Sequence, residues 1–114
     1  MLETKININK KLLAYIKYLK QEEAINEFYG LDSTQIKVLN AIAHLWCAQQ
    51  DSKVGDLLSL NSIASPATIH AALKKLTKKK LIAFRRATDS RAKYVGLTEL
   101  GLKRFNELAK AISQ

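Results

Sequence analysis

The sequence of 114 residues has one cysteine and two histidines, which limits the cross-links and metal sites it can form. A single thiol, Cys47, excludes an internal disulfide and a cysteine-rich zinc site. His44 and His70 have no cysteine or acidic partners at metal-ligand spacing, so we expect no metal and no cofactor. We expect Cys47 to be a buried core thiol beside Trp46 rather than a redox sensor, because no basic residue nearby in sequence would activate it.

Glycine and proline are also scarce, with four and one in the chain. The four scattered glycines form no phosphate-binding loop, and no nucleophile elbow or metal motif occurs, so we do not expect an enzyme. No apolar run approaches the length that spans a membrane, and the N-terminus lacks the apolar core of a signal peptide, which predicts a cytoplasmic protein. The length and the absence of repeats or linkers predict one domain over residues 1–114.

Acidic residues are almost missing from one segment, Lys74 to Lys93. It holds nine lysines or arginines and one acid, Asp89, and so carries +8 of the net charge of +9. A run of charge is often only a solvated face, but its concentration on two adjacent elements favours nucleic acid as partner. An anionic membrane is disfavoured, because the lysines stand beside alanines rather than bulky apolar residues.

The segment that begins at Ser65 and runs into these basic residues predicts the second helix of a helix-turn-helix. Ser65 can cap the helix with its hydroxyl, and Pro66 at the first helical position loses no hydrogen bond. One face is apolar at helical spacing. The other face carries small residues in its N-terminal half and lysines in its C-terminal half, so that the helix can approach a flat polyanion closely while its lysines reach the phosphates. The apolar face consists of Ile69, Ala72, Leu73 and Leu76. The outer face consists of Ala67, Ala71, Lys74 and Lys78, with His70 and Lys75 beside it.

After this helix the apolar residues recur every second position, which predicts strands. Ile82 and Phe84 mark one strand, Val95 and Leu97 mark another, and the polar segment 87–92 fits a hairpin tip. The order helix, strand, basic loop, strand predicts a winged helix, so the fold class is mainly α with a small β-hairpin. The predicted core consists of Ile69, Leu73, Leu76, Phe84, Val95 and Trp46.

Helices flank the predicted winged helix on both sides. After a loose leader of residues 1–7, Asn9 can cap a helix that runs to about Tyr29 and ends at Gly30. Its long apolar stripe favours a subunit contact over packing on its own domain alone. We therefore assign residues 1–30 to a leader and a dimerisation helix.

The remaining elements follow in order. A core helix starts at Asp32 or Ser33 and runs through about Gln50. Asp51 or Ser52 begins a short helix, Lys53 to Leu60, whose inward residues are Val54, Leu57 and Leu58. Thr98 can cap a final helix over 98–114, with the apolar residues Leu102, Phe105, Leu108, Ala109 and Ile112. The winged helix itself then spans residues 31–97.

Three motifs in this order resemble the MarR-type winged-helix regulators (multiple-antibiotic-resistance regulator family). Lys78-Lys79-Lys80-Leu81-Ile82 matches the turn into the first wing strand, and Asp89-Ser90-Arg91 matches an Asp-x-Arg wing tip. Leu97-Thr98-Glu99-Leu100-Gly101 matches the Leu-Thr-x-x-Gly start of the last helix. The resemblance covers roughly residues 31–114, and the first helix fits by position.

The resemblance implies a homodimer, built with its N- and C-terminal helices, on a pseudo-palindromic duplex. The recognition helix would enter the major groove and Arg91 the minor groove, with Asp89 orienting that arginine. Two departures stand out: the family usually has glycine where Lys80 stands, and this chain is one helix shorter. Larger relatives use the last helices to dimerise and to wall a ligand pocket, which makes a small-molecule effector doubtful here.

We therefore expect a sequence-specific, double-stranded DNA-binding transcriptional regulator. The alternative is a protein-interaction module, which would need apolar outer residues on the recognition helix where this chain has lysines and alanines. The candidate DNA contacts are Ser65, Pro66, Ala67, Thr68, His70, Ala71, Lys74, Lys75, Lys78, Arg85, Arg86, Asp89, Arg91 and Lys93.

Overall fold

The computed structural model describes residues 9–86 and 92–112, and these ranges form a winged helix. The three strands make one antiparallel sheet in the order β1-β3-β2. The expected leader and most of the hairpin tip, residues 87–91, lie outside the described residues. The elements are α1 (Lys10–Phe28), α2 (Ser33–Cys47), β1 (Ser52–Lys53), α3 (Val54–Leu58), α4 (Pro66–Lys78), β2 (Ile82–Arg86), β3 (Lys93–Leu97) and α5 (Glu99–Ile112).

Four helices begin at the side-chain caps that the sequence predicts. Asn9, Asp32, Ser65 and Thr98 each accept a hydrogen bond from the backbone N–H three residues later, at 2.8, 2.8, 3.3 and 3.1 Å. Each cap satisfies a donor that has no partner inside the helix. The predicted starts of α1, α2, α4 and α5 are thus confirmed.

Three helices are followed by a residue with left-handed backbone, two positions after their last residue. Gly30, Gln49 and Lys80 have φ of 65°, 58° and 63°. At each end this residue's N–H donates to the carbonyl three residues back, and the next N–H donates to the carbonyl five residues back. This pattern is the Schellman motif, which satisfies the last carbonyls of a helix. It ends α2 at Cys47, so the prediction that this helix continues to about Gln50 is wrong.

Ser52 and Lys53 form a strand, and the prediction that they begin a helix is wrong. They pair with Val95 and Tyr94 of β3, and Ser52 is buried by this pairing. A two-residue strand is too short to show the alternation that identifies a strand in sequence. The short helix therefore begins at Val54 and ends at Leu58, two residues before the predicted end.

The core joins α2, α3 and α4 to the sheet. The predictions for Ile69, Leu73, Leu76 and Val95 are confirmed, since each is at most 4% exposed. The rest of the core is Val38, Leu39, Ile42, Leu57, Ala72, Leu81 and Ile82.

Two predicted core aromatics are not buried, and neither is the thiol. Trp46 is 57% and Phe84 41% exposed, and Cys47 is exposed as well. Trp46 and Cys47 occupy the last turn of α2, beyond its buried residues, and Phe84 lies on the edge strand β2. These three core assignments are therefore wrong, because an apolar stripe does not show how far its packing partner extends.

α1 packs on α5 around a buried polar pair that the sequence pattern does not predict. Arg104 is 1% exposed, and its Nε and Nη2 donate to Oδ1 of Asn26 at 3.1 and 2.6 Å. Burial lowers the pKa of Arg104. At the C-terminal end of α1, Tyr29 donates to a carboxylate oxygen of Glu107 at 2.5 Å. The α1–α5 contact is thus specified by polar as well as apolar side chains.

The first turn of α5 lies close to Leu81, the residue directly before β2. A Cβ atom on Gly101 would collide with the carbonyl oxygen of Leu81. Along the predicted apolar side of α5, Leu108 is buried and two more residues are half-buried, whereas Ala109 and Ile112 are exposed and Ala111 is buried instead. Within the described residues, no helix is long and apolar enough to cross a bilayer.

Candidate nucleic-acid interface

The outer face of α4 is exposed along its whole length. Burial follows the helical period, so that four apolar residues face the core, Thr77 is half-buried and the other positions are exposed. The hydroxyls of Ser65 and Thr68 lie 2.9 Å apart and are hydrogen-bonded to each other at the helix N-terminus. The exposed predicted positions are Ser65, Pro66, Ala67, Thr68, His70, Ala71, Lys74, Lys75 and Lys78.

The C-terminal half of this face borders an open groove against β2. The groove has a volume of about 480 Å³ and is lined by Lys74, Lys75, Thr77, Lys78 and Phe84. The exposed Phe84 ring and the lysine stems make its apolar surface, and the ammonium groups can extend from these stems to solvent. The sequence pattern predicts neither Phe84 nor Thr77 as part of this site, because its alternation assigns Phe84 to the core.

The strand register adds two more basic residues to the same side. Phe84 pairs with Val95, and Arg86 pairs with Lys93, in the antiparallel pair β2–β3. Residues two apart on a strand share a face, so Arg86 and Lys93 lie on the face that carries Phe84 and the buried Val95. This face of the sheet packs towards α4. Both residues are exposed and therefore extend the basic surface of α4 onto the hairpin.

Arg85 lies on the opposite face of the sheet. Its guanidinium stands 5.1 Å from the ring centroid of Tyr94 and 3.3 Å from Oδ1 of Asp51. Both charged side chains are about two-thirds exposed, so the ion pair itself contributes little stability. The structure thus does not bring Arg85 together with the lysines of α4, and its role as a DNA contact stays a prediction.

Other members of the basic segment differ in their surroundings. Asp89 and Arg91 lie outside the described residues, and their roles at the wing tip stay predictions. Lys80 is exposed, whereas Lys79 is half-buried and turned towards the junction of α1 and α2. Within 9–86 and 92–112, no cluster of three or more histidine, cysteine or acidic side chains could hold a metal ion.

Comparison with known proteins identifies this architecture. Residues 15–108 match the family model described as transcriptional regulator SarA/Rot. No curated protein matches the sequence significantly. MepR of Staphylococcus aureus, solved in complex with DNA, is 25% identical with a TM-score of 0.65, and the match covers 92% of this chain and 87% of MepR.

Two further solved structures have the same fold. A variant of ZitR from Lactococcus lactis is 33% identical with a TM-score of 0.57, over 71% of this chain and 52% of ZitR, so the match spans about half of that protein. NadR, solved in complex with 4-hydroxyphenylacetate, is 18% identical with a TM-score of 0.61, over 97% of this chain and 79% of NadR. With the winged helix in place and 15–108 matched, the chain belongs to the SarA/Rot family and is a DNA-binding transcriptional regulator of the MarR-type winged-helix class.

Proposed function

We propose that the chain acts as a homodimer that binds a pseudo-palindromic DNA operator, with α4 in the major groove and the wing tip in the minor groove. The observation that carries the proposal is the exposed outer face of α4. Its N-terminal half presents small side chains, including Ala67 and Ala71, that allow close approach to base edges. Its C-terminal half presents three exposed lysines, whose ammonium groups can bind the flanking phosphates.

The hairpin supports the same orientation. Arg86 and Lys93 continue the lysine surface towards the wing tip, so a duplex lying along α4 meets positive charge on both sides. MepR, which shares the fold, was solved in complex with DNA, which supports DNA as the partner of this chain. Arg91 would then reach the minor groove beyond the hairpin, and Asp89 would orient it.

Dimerisation is supported by an apolar surface that the single chain leaves exposed. Leu13 and Ile16 of α1 are each 45% exposed, Tyr15 is 58% exposed, and Ile112 of α5 is 67% exposed. Tyr15 and Ile112 border one cavity of about 360 Å³, so the apolar surface continues from α1 to α5. A second copy packed here would remove this surface from water, which is the driving force for a stable dimer.

DNA binding is tested by selection from a random duplex pool followed by titration in increasing salt. An inverted repeat with half-sites about 10 bp apart is expected, because a helix-turn-helix dimer presents its two recognition helices one turn apart. The log–log slope of the binding constant against salt should be steeper than about −4 for the dimer, from about 0.9 per phosphate neutralised. A slope near zero would exclude the basic face as the DNA surface.

The dimer is tested by placing a charge in the apolar surface. Ile16→Glu would bury an unpaired carboxylate at the interface, which costs several kcal/mol and should weaken the dimer by roughly two orders of magnitude. Lys37→Glu places the same side chain on the exposed surface of α2, outside this apolar surface, and should leave the dimer intact. Sedimentation equilibrium measures both, and a dimer of unchanged strength in Ile16→Glu would place the interface elsewhere.

This function involves no catalytic step, and it places the protein in the cytoplasm with the DNA it regulates. It also requires no small molecule. NadR, a neighbour with this fold, was solved with 4-hydroxyphenylacetate. Adding a candidate ligand and measuring the operator affinity would detect an effector of this chain. The mechanism proposed here predicts that the operator affinity does not change.

A further inference from the structure

Lys79 stands in the run Lys78-Lys79-Lys80, yet its ammonium group makes contacts inside the protein. Its Nζ donates to the backbone carbonyl of Gly30 and to Oε1 of Gln35, the latter at 2.8 Å. Gly30 is the left-handed residue that ends α1, and Gln35 lies in the first turn of α2. Lys79 itself is the C-cap of the recognition helix α4. One side chain therefore joins the ends of three helices.

The acceptors of Lys79 are themselves held in place. Gln35 is 3% exposed, and its Nε2 donates to Oδ2 of Asp32 at 3.3 Å. Asp32 also caps α2 through Oδ1, which accepts from the backbone N–H of Gln35 at 2.8 Å. With its amide nitrogen turned to Asp32, Gln35 presents its amide oxygen to Lys79. The acceptor site is thus pre-formed by the N-terminus of α2.

We propose that Lys79 is a positioning residue that fixes the recognition helix relative to α1 and so sets the distance between the two recognition helices of the dimer. This inference rests on the proposed dimeric function. α1 packs mainly on α5, and α4 packs mainly on α2, α3 and β2, so the two helices belong to different packing units. The hydrogen bond from Lys79 to Gly30 connects these units directly.

A positioning lysine and a phosphate-binding lysine have different signatures in solution. A phosphate contact adds to counterion release, so its removal makes the salt slope shallower by about 0.9 per contact and weakens all sequences alike. A positioning lysine releases no counterion from DNA. Its removal should leave the slope unchanged and relax the preference for one half-site spacing, because the two recognition helices are no longer held at one separation.

The experiment uses the full chain and the operator obtained by selection. Duplexes carry the same half-sites at spacings changed by one or two base pairs, and each is titrated at several salt concentrations. Lys79→Met keeps most of the side-chain stem and removes the ammonium group, and Lys78→Met is its matched control from the exposed groove. Gln35→Leu removes an acceptor of Lys79 without changing any positive charge, and it carries the test if Lys79→Met folds poorly.

Lys79→Met and Gln35→Leu are expected to keep the wild-type salt slope and to lower the affinity ratio between the best and next-best spacing roughly threefold or more. Lys78→Met should make the slope shallower by about 0.9 for each of the two protomers and keep that ratio. The inference is overturned if Lys79→Met behaves like Lys78→Met, or if Gln35→Leu keeps the wild-type spacing preference. A wild-type protein with no spacing preference would instead overturn the proposed dimeric function, and this inference with it.

Discussion

Asn26 of α1 accepts two hydrogen bonds from Arg104 of α5 through one amide oxygen. The distances are 3.1 Å from Nε and 2.6 Å from Nη2. Nη1 of Arg104 is buried and has no hydrogen-bond partner in the part of the chain that the structure describes. Burial lowers the pKa of Arg104, while the charge of Glu22 acts in the opposite direction. A cation thus sits between two helices, held chiefly by a neutral amide.

Breaking this pair on either side should destabilise the fold. Arg104→Met leaves the amide of Asn26 unpaired, and Asn26→Leu leaves the guanidinium without its acceptor, each at a cost of about 1–3 kcal/mol or more. The double variant Asn26→Leu/Arg104→Met removes both polar groups and should recover part of the loss. Chemical denaturation gives the four free energies of unfolding.

Lys103→Met, an exposed neighbour on α5, is the control for this cycle and should change stability by less than about 0.5 kcal/mol. If the losses of the two single variants add in the double variant, the two residues are not energetically coupled.

Lys80→Gly should stabilise the protein. Lys80 has φ of 63°, where a side chain is strained and glycine is not. The expected gain is up to about 1 kcal/mol, reduced by the extra chain entropy of glycine in the unfolded state. Lys80→Ala is the matched control, because it removes the same charge and keeps the Cβ atom. Equal stability of the two variants in chemical denaturation would attribute any gain to charge and not to backbone conformation.

Stability should fall at high pH through Tyr29. Burial, followed by the hydrogen bond to Glu107 and its charge, raises the pKa of the Tyr29 phenol to about 12. The unfolded phenol loses its proton near its ordinary pKa of about 10, so above this pH the unfolded state binds fewer protons than the folded state. The stabilisation is therefore complete below about pH 10 and is lost as the pH rises towards 12.

Tyr29→Phe isolates this contribution, since it cannot titrate at position 29. The difference in unfolding free energy between wild type and Tyr29→Phe should be constant below about pH 10 and shrink above it. A difference that stays constant into the alkaline range would show that Tyr29 titrates alike in both states.

The helices were largely predictable, because their signals are local. Ser65 and Pro66 mark the start of α4, and its apolar positions recur at helical spacing, so exposure of the outer face followed directly. The position of Arg85 on the other face of the sheet also follows from strand alternation, which separates it from Phe84 and Arg86.

The features that were predicted wrongly or not at all depend mainly on contacts between residues that are distant in sequence. Gln49 adopts a left-handed conformation that the sequence would mark only with glycine, so the end of α2 was misplaced. Arg104 is buried although arginine is rarely buried without a partner, and its partner lies 78 residues away. In the sequence, Lys79 looks like the exposed lysines on either side of it, and only the positions of α1 and α2 show that its ammonium group has acceptors inside the protein.

The wing tip carries the sharpest prediction about DNA. Arg91 lies outside the described residues, and its position in the sequence between the two basic wing strands suits a narrow minor groove, where A·T-rich sequence deepens the negative potential. Arg91→Ala should weaken binding by roughly 1–3 kcal/mol and flatten the preference for A·T-rich flanks. Lys75→Ala should weaken all sequences about equally, because phosphate carries no sequence information.

Titrations on two duplexes that share half-sites and differ only in their flanks measure this effect. If Arg91→Ala lowers the affinity for both duplexes by the same factor, the arginine is only a further phosphate contact. The wing would then hold the protein on DNA without distinguishing flanking sequence.

The close approach of Gly101 to Leu81 limits how this protein can be recombined with its relatives. Leu81 leads directly into the first wing strand, and Gly101 lies in the first turn of α5. Any side chain at position 101 would push α5 away from the backbone of Leu81 and tilt α5 relative to β2. A chimera that takes its hairpin from one parent and its last helix from another should therefore inherit residues 81 and 101 as one module, with the crossover placed upstream of 81 or downstream of 101.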